Sequence, residues 1–117
     1  MHRDMRLKSE LWVKAYLRRA SIGGAPGVVV RRGDTDAGII LIKIARLNGR
    51  CDLYGPQPAG LGSDDGERRW ICVAENASEP DIDARLSKEI QLDPDAWILE
   101  IEDREGRHYL EGWLGEG

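Results

Sequence analysis

The sequence predicts an α+β domain in which two helices pack on a mainly antiparallel sheet of four to six strands. Short stretches rich in β-branched residues are separated by tight turns, which favours an antiparallel meander. One stretch before them and another ahead of the last strands have the apolar spacing of helices. The length of 117 residues fits one domain with one core over residues 1–117. Residues 1–6 and 112–117 are expected to fray.

The N-terminal helix is predicted to run from Glu10 to about Ile22, with Ser9 as its capping residue. Gly23 and Gly24 end it, and Pro26 blocks its continuation. Its main apolar residues fall on one face at helical spacing. They are Trp12, Val13, Tyr16, Leu17 and Ala20.

Four strands are predicted before the second helix, at 28–32, 39–47, 50–54 and 69–74. The second has β-branched residues on both faces before Lys43, which is typical of a central strand. Asn48-Gly49 is the signal for a two-residue hairpin turn, so the third strand is expected to pair back on the second.

The second helix is predicted to open at Ser78, with Pro80 in its first turn and Asp81 three residues after the cap. Apolar residues then recur every fourth position up to Ile90, so one narrow stripe packs on the sheet. Asp93-Pro94 stops the helix. Residues 97–102 alternate as a half-buried strand, and 108–110 are a candidate for a further pairing.

The core is predicted from these periodicities. Its members are Trp12, Tyr16, Leu17, Val29, Ile40, Ile42, Leu53, Ile71, Val73, Leu86, Ile90, Trp97, Leu99 and Ile101.

Composition narrows the class of protein. An apolar fraction of 41% and a charged fraction of 32% are those of a globular chain. No apolar run approaches the roughly 20 residues of a membrane helix, and no signal peptide is recognisable, so a cytoplasmic protein without membrane contact is expected. Cys51 and Cys72 are too few for a disulfide scaffold. No zinc spacing or cofactor signature occurs, so no cofactor is expected.

Several spaced motifs follow one another over nearly the whole length of the chain. They are residues 6–10 (RLKSE), 12–13 (WV), 15–19 (AYLRR), 31–34 (RRGD) with 36–38 (DAG), 53–56 (LYGP), 93–95 (DPD) with Trp97, and 100–104 (EIEDR). In this combination the chain resembles an uncharacterised bacterial family, domain of unknown function 1491. The resemblance implies a small bacterial cytoplasmic protein. It supplies no activity, so no functional residue is carried over from it.

The first candidate site is the turn that follows the first strand. Arg31 and Arg32 end the strand, and Gly33, Asp34 and Asp36 belong to the glycine-bounded turn after it. Arginine forks and turn amides can bind a phosphate or carboxylate. The alternative is a hairpin loop, in which the aspartates bond the turn amides and an arginine pairs nearby.

The second candidate is the acidic end of the last strand. Glu100 and Glu102 point to one face of that strand, and Asp103 follows them. Carboxylates grouped in this way can bind Mg²⁺ for phosphoester hydrolysis. The alternative is a solvated strand face and turn.

The third candidate is the basic face of the N-terminal helix, including Arg18 and Arg19. Cations on an exposed helix can follow a phosphate backbone. Residues 1–50 carry eleven Lys and Arg against four Asp and Glu, whereas residues 51–117 carry six against seventeen. A net charge of −4 does not favour a nucleic-acid binder, and the alternative is a solvated helix face.

These observations favour a non-catalytic binding or protein-interaction module that meets a protein or an anionic ligand through the arginine-bearing turn or helix. No catalytic residue is assigned. A metal-dependent phosphoester hydrolase using Glu100, Glu102 and Asp103 is the first alternative. A nucleic-acid-binding protein using the N-terminal helix is the second. The two leading interpretations differ in whether three carboxylates converge in a pocket.

Overall fold

The computed structural model describes residues 7–58 and 67–115. These residues form two helices and five strands. In chain order they are α1 (Ser9–Ile22), β1 (Gly27–Arg31), β2 (Ile40–Ala45), β3 (Arg50–Pro56), β4 (Trp70–Ser78), α2 (Glu79–Leu92) and β5 (Trp97–Glu102). The α+β class is therefore confirmed. No helix in the described part of the chain is long and apolar enough to cross a membrane.

The sheet is mixed, with the strand order β1-β5-β2-β3-β4. Strands β2, β3 and β4 form the expected antiparallel meander. The expectation is wrong for the first and last strands, since β5 lies between β1 and β2, antiparallel to the first and parallel to the second. The turn after β1 is therefore not a hairpin loop. The crossover through α2 allows this arrangement, because a parallel pair needs a long connection and cannot be joined by a tight turn.

The two helices cover opposite faces of the sheet. On the α1 face, Trp12 and Tyr16 pack with Ile42 and Leu99 in one buried cluster. On the α2 face, Leu86 belongs to a second cluster with residues from β2, β3 and β5. Because strand side chains alternate between faces, β2 contributes to both clusters, and all six of its residues are buried.

The predicted core is confirmed at nine of its positions, and these are Trp12, Tyr16, Ile40, Ile42, Leu53, Leu86, Trp97, Leu99 and Ile101. Four others, Leu17, Ile71, Val73 and Ile90, are half-buried. Val29 is wrong as a core residue, because β1 is an edge strand and leaves it exposed. Trp70 is a further core residue outside the predicted set, and its ring stacks on that of Trp12 with the two centroids 4.0 Å apart.

The start of α1 differs from the prediction. Lys8 is the N-cap residue, and the first helical residue, Ser9, is buried with its Oγ donating to the Gly38 carbonyl at 2.6 Å. The first two helical amides donate to backbone carbonyls of the turn after β1. The Ser9 amide donates to the Asp36 carbonyl, and the Glu10 amide donates to the Thr35 carbonyl. A serine cap is not needed where another segment supplies these acceptors.

The second helix begins as predicted, since Ser78 Oγ accepts the Asp81 amide at 3.3 Å. The β2–β3 hairpin is present, but its loop is longer than two residues. The Arg46 amide donates to the Arg50 carbonyl, which leaves residues 47–49 in the loop, with positive φ at Leu47 and Gly49. The twist of a hairpin requires such left-handed residues.

After β5, the described residues of the C-terminal segment form no further helix or strand. Residues 108–110 do not form the candidate strand, although Leu110 is fully buried. Residues 113–115, in the segment expected to fray, are hydrogen-bonded to β4. The Trp70 amide donates to the Trp113 carbonyl, and the Gly115 amide donates to the Trp70 carbonyl, both at 2.8 Å. Residues 1–6 and 116–117 lie outside the described residues.

Candidate functional site

The two arginines of the turn after β1 have different surroundings. Arg31 Nη1 donates to the carbonyls of Pro94 and Ala96, at 2.7 and 3.1 Å. Arg32 is largely exposed, with its Nη2 2.6 Å from Glu10 Oε2 and its guanidinium 5.2 Å from the centre of the Trp97 ring. Arg31 thus joins β1 to the α2–β5 connection, and Arg32 joins it to α1.

The aspartates of the turn bond the turn itself. Asp34 Oδ2 accepts the amides of Asp36 and Ala37, at 3.1 and 2.8 Å. The backbone at Gly33 and Gly38 packs so closely on the Asp95 carbonyl that neither position has room for a Cβ atom. These contacts, and the carbonyls that accept the first amides of α1, show that the turn has a structural role. It holds the start of α1 against the α2–β5 connection. Its amides at 36 and 37 are occupied by a carboxylate within the turn.

Arg31→Ala is therefore expected to lower the free energy of unfolding by about 1–2 kcal/mol, because it removes two charged hydrogen bonds to backbone carbonyls. Arg32→Ala is expected to cost about 0.5 kcal/mol, since exposed ion pairs contribute little. Urea melts of the two variants at pH 7 compare them directly. Equal stability of the two would contradict the assignment of the structural role to Arg31.

The two arginines of the basic helix have different surroundings. Arg19 Nη1 donates to the carbonyls of Tyr109 and Glu111, at 3.3 and 2.8 Å, and its guanidinium lies 3.8 Å from the centre of the Trp113 ring. Arg18 is exposed. The buried rings of the same helix, Trp12 among them, offer no face on which a base can stack. This geometry gives little support to the nucleic-acid alternative.

The three acidic residues at the end of β5 do not converge in one pocket, because Glu100 and Glu102 line one hollow and Asp103 lies outside it. Glu100 lies 3.6 Å from Lys43 on the α2 face of the sheet, whereas Asp103 is buried and accepts the Tyr109 hydroxyl at 2.9 Å. Burial acts to raise the pKa of Asp103, but bonds from Tyr109, two backbone amides and Arg107 outweigh it and hold that pKa below its usual value. In residues 7–58 and 67–115, no group of three His, Cys, Asp or Glu side chains is placed to hold a metal ion.

The structure shows a cluster of charges around Lys43 that the sequence analysis missed. The Lys43 side chain is almost fully buried on β2. Its Nζ lies 2.7 Å from Glu79 Oε2, 2.8 Å from Asp83 Oδ1 and 3.6 Å from Glu100 Oε1. Burial alone would lower the pKa of Lys43, but the bonds to Asp83 and Glu79 outweigh it and raise that pKa. A lysine in the middle of an apolar strand is the sequence signal for such a cluster.

A cleft of about 520 Å³ opens beside this cluster, between α2 and the strands β1 and β5. Its apolar lining consists of Val30, Leu86, Ile90 and Ile98, and its charged lining of Arg31, Lys43, Asp83 and Glu100. A smaller hollow of about 140 Å³ is also lined by Glu100, together with Pro26, Gly27, Val28 and Glu102. The two hollows together follow the α2 side of β1.

The edge strand β1 exposes three consecutive apolar side chains. Val28 is 60% exposed, Val29 42% and Val30 55%. In the described part of the chain, β1 pairs with β5 along one edge and with no strand along the other. A strand edge of this kind carries unsatisfied backbone donors and acceptors beside an apolar surface. We call the exposed edge of β1 with the adjoining hollows the β1 surface.

Comparisons with known proteins agree on one family. The family described as "Protein of unknown function (DUF1491)" matches residues 7–111, which confirms the resemblance found in the motifs. The crystal structure of a DUF1491 family protein from Caulobacter crescentus CB15 is 42% identical, with a TM-score of 0.76, and the alignment covers 89% of this chain and 94% of that one.

A solution structure of protein Atu0922 from A. tumefaciens is 35% identical, with a TM-score of 0.78 and coverage of 90% of this chain and 92% of that one. An NMR structure of a DUF1491 family protein from C. crescentus CB15 is 40% identical, with a TM-score of 0.76 and coverage of 95% and 97%. No curated protein matches the chain. These structural relatives are bacterial proteins, and none of their descriptions states an activity or a ligand.

Proposed function

Since this chain belongs to the DUF1491 family of proteins of unknown function, we propose its function from its own surface: a small, non-catalytic protein-interaction module that binds through the β1 surface. The observation that carries the proposal is the run of exposed valines, Val28, Val29 and Val30, on an edge strand. The arginine turn takes part through Arg31, which lines the cleft beside the same strand.

Edge strands of folded proteins are usually protected against pairing by charged side chains, prolines or bulges. Strand β1 has a bulge between Val29 and Arg31, but residues 27–30 carry no charge. Each exposed valine would contribute roughly 1 kcal/mol if it were covered, at about 25 cal/mol per Å² of apolar area. Unsatisfied backbone groups beside such a patch are the basis of binding by strand addition.

The charged groups of the cleft favour recognition over catalysis. Lys43 is held in its protonated form by Glu79, Asp83 and Glu100. A protonated lysine is neither a nucleophile nor a general base. The cluster instead gives the α2 side of the β1 surface an excess of carboxylates over cations, which can select the charge of a partner.

The proposed location of the module is the bacterial cytoplasm. The bacterial origin of its structural relatives supports this. Cys51 and Cys72 are both free thiols, the first buried and the second exposed. Unpaired thiols are common where the compartment is reducing.

Site-specific photocrosslinking in bacterial cells tests the proposed surface. A photoreactive residue replaces Val28 in one variant and Leu92, an equally apolar position on the outside of α2, in a matched control. We expect a discrete protein adduct from position 28, none from position 92, and loss of the adduct when Val30→Lys is added. Adducts from both positions, or from neither, would refute the proposal.

A further inference from the structure

We propose that the occupant of the β1 surface is a second copy of this chain, paired β1 to β1 in antiparallel orientation about a twofold axis. This inference rests on the proposed function and names its partner. The two five-stranded sheets would become one continuous ten-stranded sheet, with both α2 helices on the same face. An isologous contact of this kind needs a surface that is complementary to itself.

The sequence of β1 has that property. Residues 27–31 read Gly-Val-Val-Val-Arg, so antiparallel pairing centred on Val29 places Val28 of each copy opposite Val30 of the other. Opposed β-branched side chains are favourable pairs on a sheet. All three valines are exposed in the single chain, and each would be covered by the same residue type.

The bulge in β1 matters for the charges. It brings Arg31 opposite Ile98, whose side chain packs on the α2 face. Arg31 therefore lines the cleft on that face. Its described hydrogen bonds both use Nη1, and a guanidinium has N–H groups on its other nitrogens as well.

In the paired arrangement, Arg31 of the second copy lies at the level of Gly27. Gly27 is opposite Ile101 on β5, and the neighbouring Glu100 and Glu102 line the hollow beside it on the α2 face. Two strand spacings, roughly 10 Å, separate the backbones, a span that an arginine and a glutamate side chain cover together. The twofold axis gives this contact twice, once at each end of the valine pairs.

The charge balance favours this partner. On the α2 face, Glu79, Asp83 and Glu100 surround Lys43, and Glu102 adds a further exposed carboxylate beside Val28. These four carboxylates outnumber the two cations that line the cleft, Lys43 and Arg31. The strand edge therefore calls for an apolar segment that ends in a cation. Residues 28–31 of a second copy supply that pattern.

Sedimentation equilibrium of the whole chain tests the inference, over a range of concentrations at pH 7. The expected result is a species of twice the chain mass of 13.1 kDa. Val29→Lys places two cations at the twofold axis and is expected to raise the dimer dissociation constant by at least about a hundredfold. Leu92→Lys, an exposed change away from the edge, should leave the constant unchanged. Persistence of the Val29→Lys dimer would overturn the arrangement.

A charge exchange tests the ends of the contact. Arg31→Glu is expected to weaken the dimer by about tenfold, and adding Glu102→Arg is expected to restore most of the affinity. Thermal melts of each variant check that the chain is folded, and a folded Arg31→Glu variant of unchanged affinity contradicts the register.

A wild-type chain that is monomeric at every concentration overturns the second copy as partner. If the crosslink from position 28 then joins a different protein, the proposed function still holds. If there is no crosslink from that position either, both proposals fail.

Discussion

Replacing Leu99 by alanine is expected to lower the free energy of unfolding by about 2–5 kcal/mol, the range for truncating a buried leucine. Leu99 has no exposed surface and belongs to the cluster between the sheet and α1. It stands in β5 with Val29 opposite on one side and Ile42 on the other. Strands flank it on both sides, so the backbone cannot readily close the cavity left by the missing atoms.

Guanidinium melts followed by tryptophan fluorescence measure this change. Leu92→Ala is the matched control, because Leu92 is 77% exposed on α2 and such surface changes stay within about 0.5 kcal/mol. A Leu99→Ala variant as stable as the Leu92→Ala variant would contradict the placement of β5 in the centre of the sheet.

Lys43→Met is expected to lower the free energy of unfolding by about 1–3 kcal/mol at pH 7. Methionine keeps much of the apolar stem but removes the charge, which leaves Glu79, Asp83 and Glu100 to repel one another. Losing one partner of a fully buried ion pair costs about 3–5 kcal/mol. The expected loss is smaller here because Glu79 and Asp83 are about half exposed and water can solvate them.

The pH dependence of this variant separates charge from packing. The pKa of Lys43 is raised above its ordinary 10.5 in the folded chain, so its stabilising contribution is present below pH 10.5 and is lost as the pH rises through the folded pKa. The stability difference between wild type and Lys43→Met should therefore shrink from pH 7 to pH 11.

Urea melts at both pH values test this expectation, with Lys88→Met, an exposed lysine change on α2, as the control. A difference of the same size at both pH values would show that the loss comes from packing alone.

The elements that the sequence predicted well are those whose signals are local. The Ser78 cap and the stripe of Ile82, Leu86 and Ile90 place α2, and the β2–β3 hairpin follows from the turn at Asn48-Gly49. The position of β5 has no such signal. Its partners β1 and β2 lie more than 50 residues earlier in the chain, and tight turns say nothing about a strand that arrives through a helix.

The surroundings of the candidate sites also depend on distant segments. Asp34 bonds the turn amides as expected, but the turn after β1 connects two strands that do not pair, and its contact with the start of α1 joins separate segments. The partners of Lys43 are 36 to 57 positions away, and no periodicity connects them. The exposure of Val29 depends on strand order alone, because an edge strand and a central strand can share one apolar sequence.

The placement of β5 between β1 and β2 also affects how the chain folds during its synthesis. Strand β1 has no sheet neighbour until synthesis reaches β5, which begins 66 positions after Arg31. At 5–20 residues per second, these positions take roughly 3–13 s. During that interval the meander of β2, β3 and β4 can form, but one side of β2 stays open and its apolar residues lack half of their cover. The open edge of β2 is a site for unwanted strand pairing during this interval, and the insertion of β5 closes it.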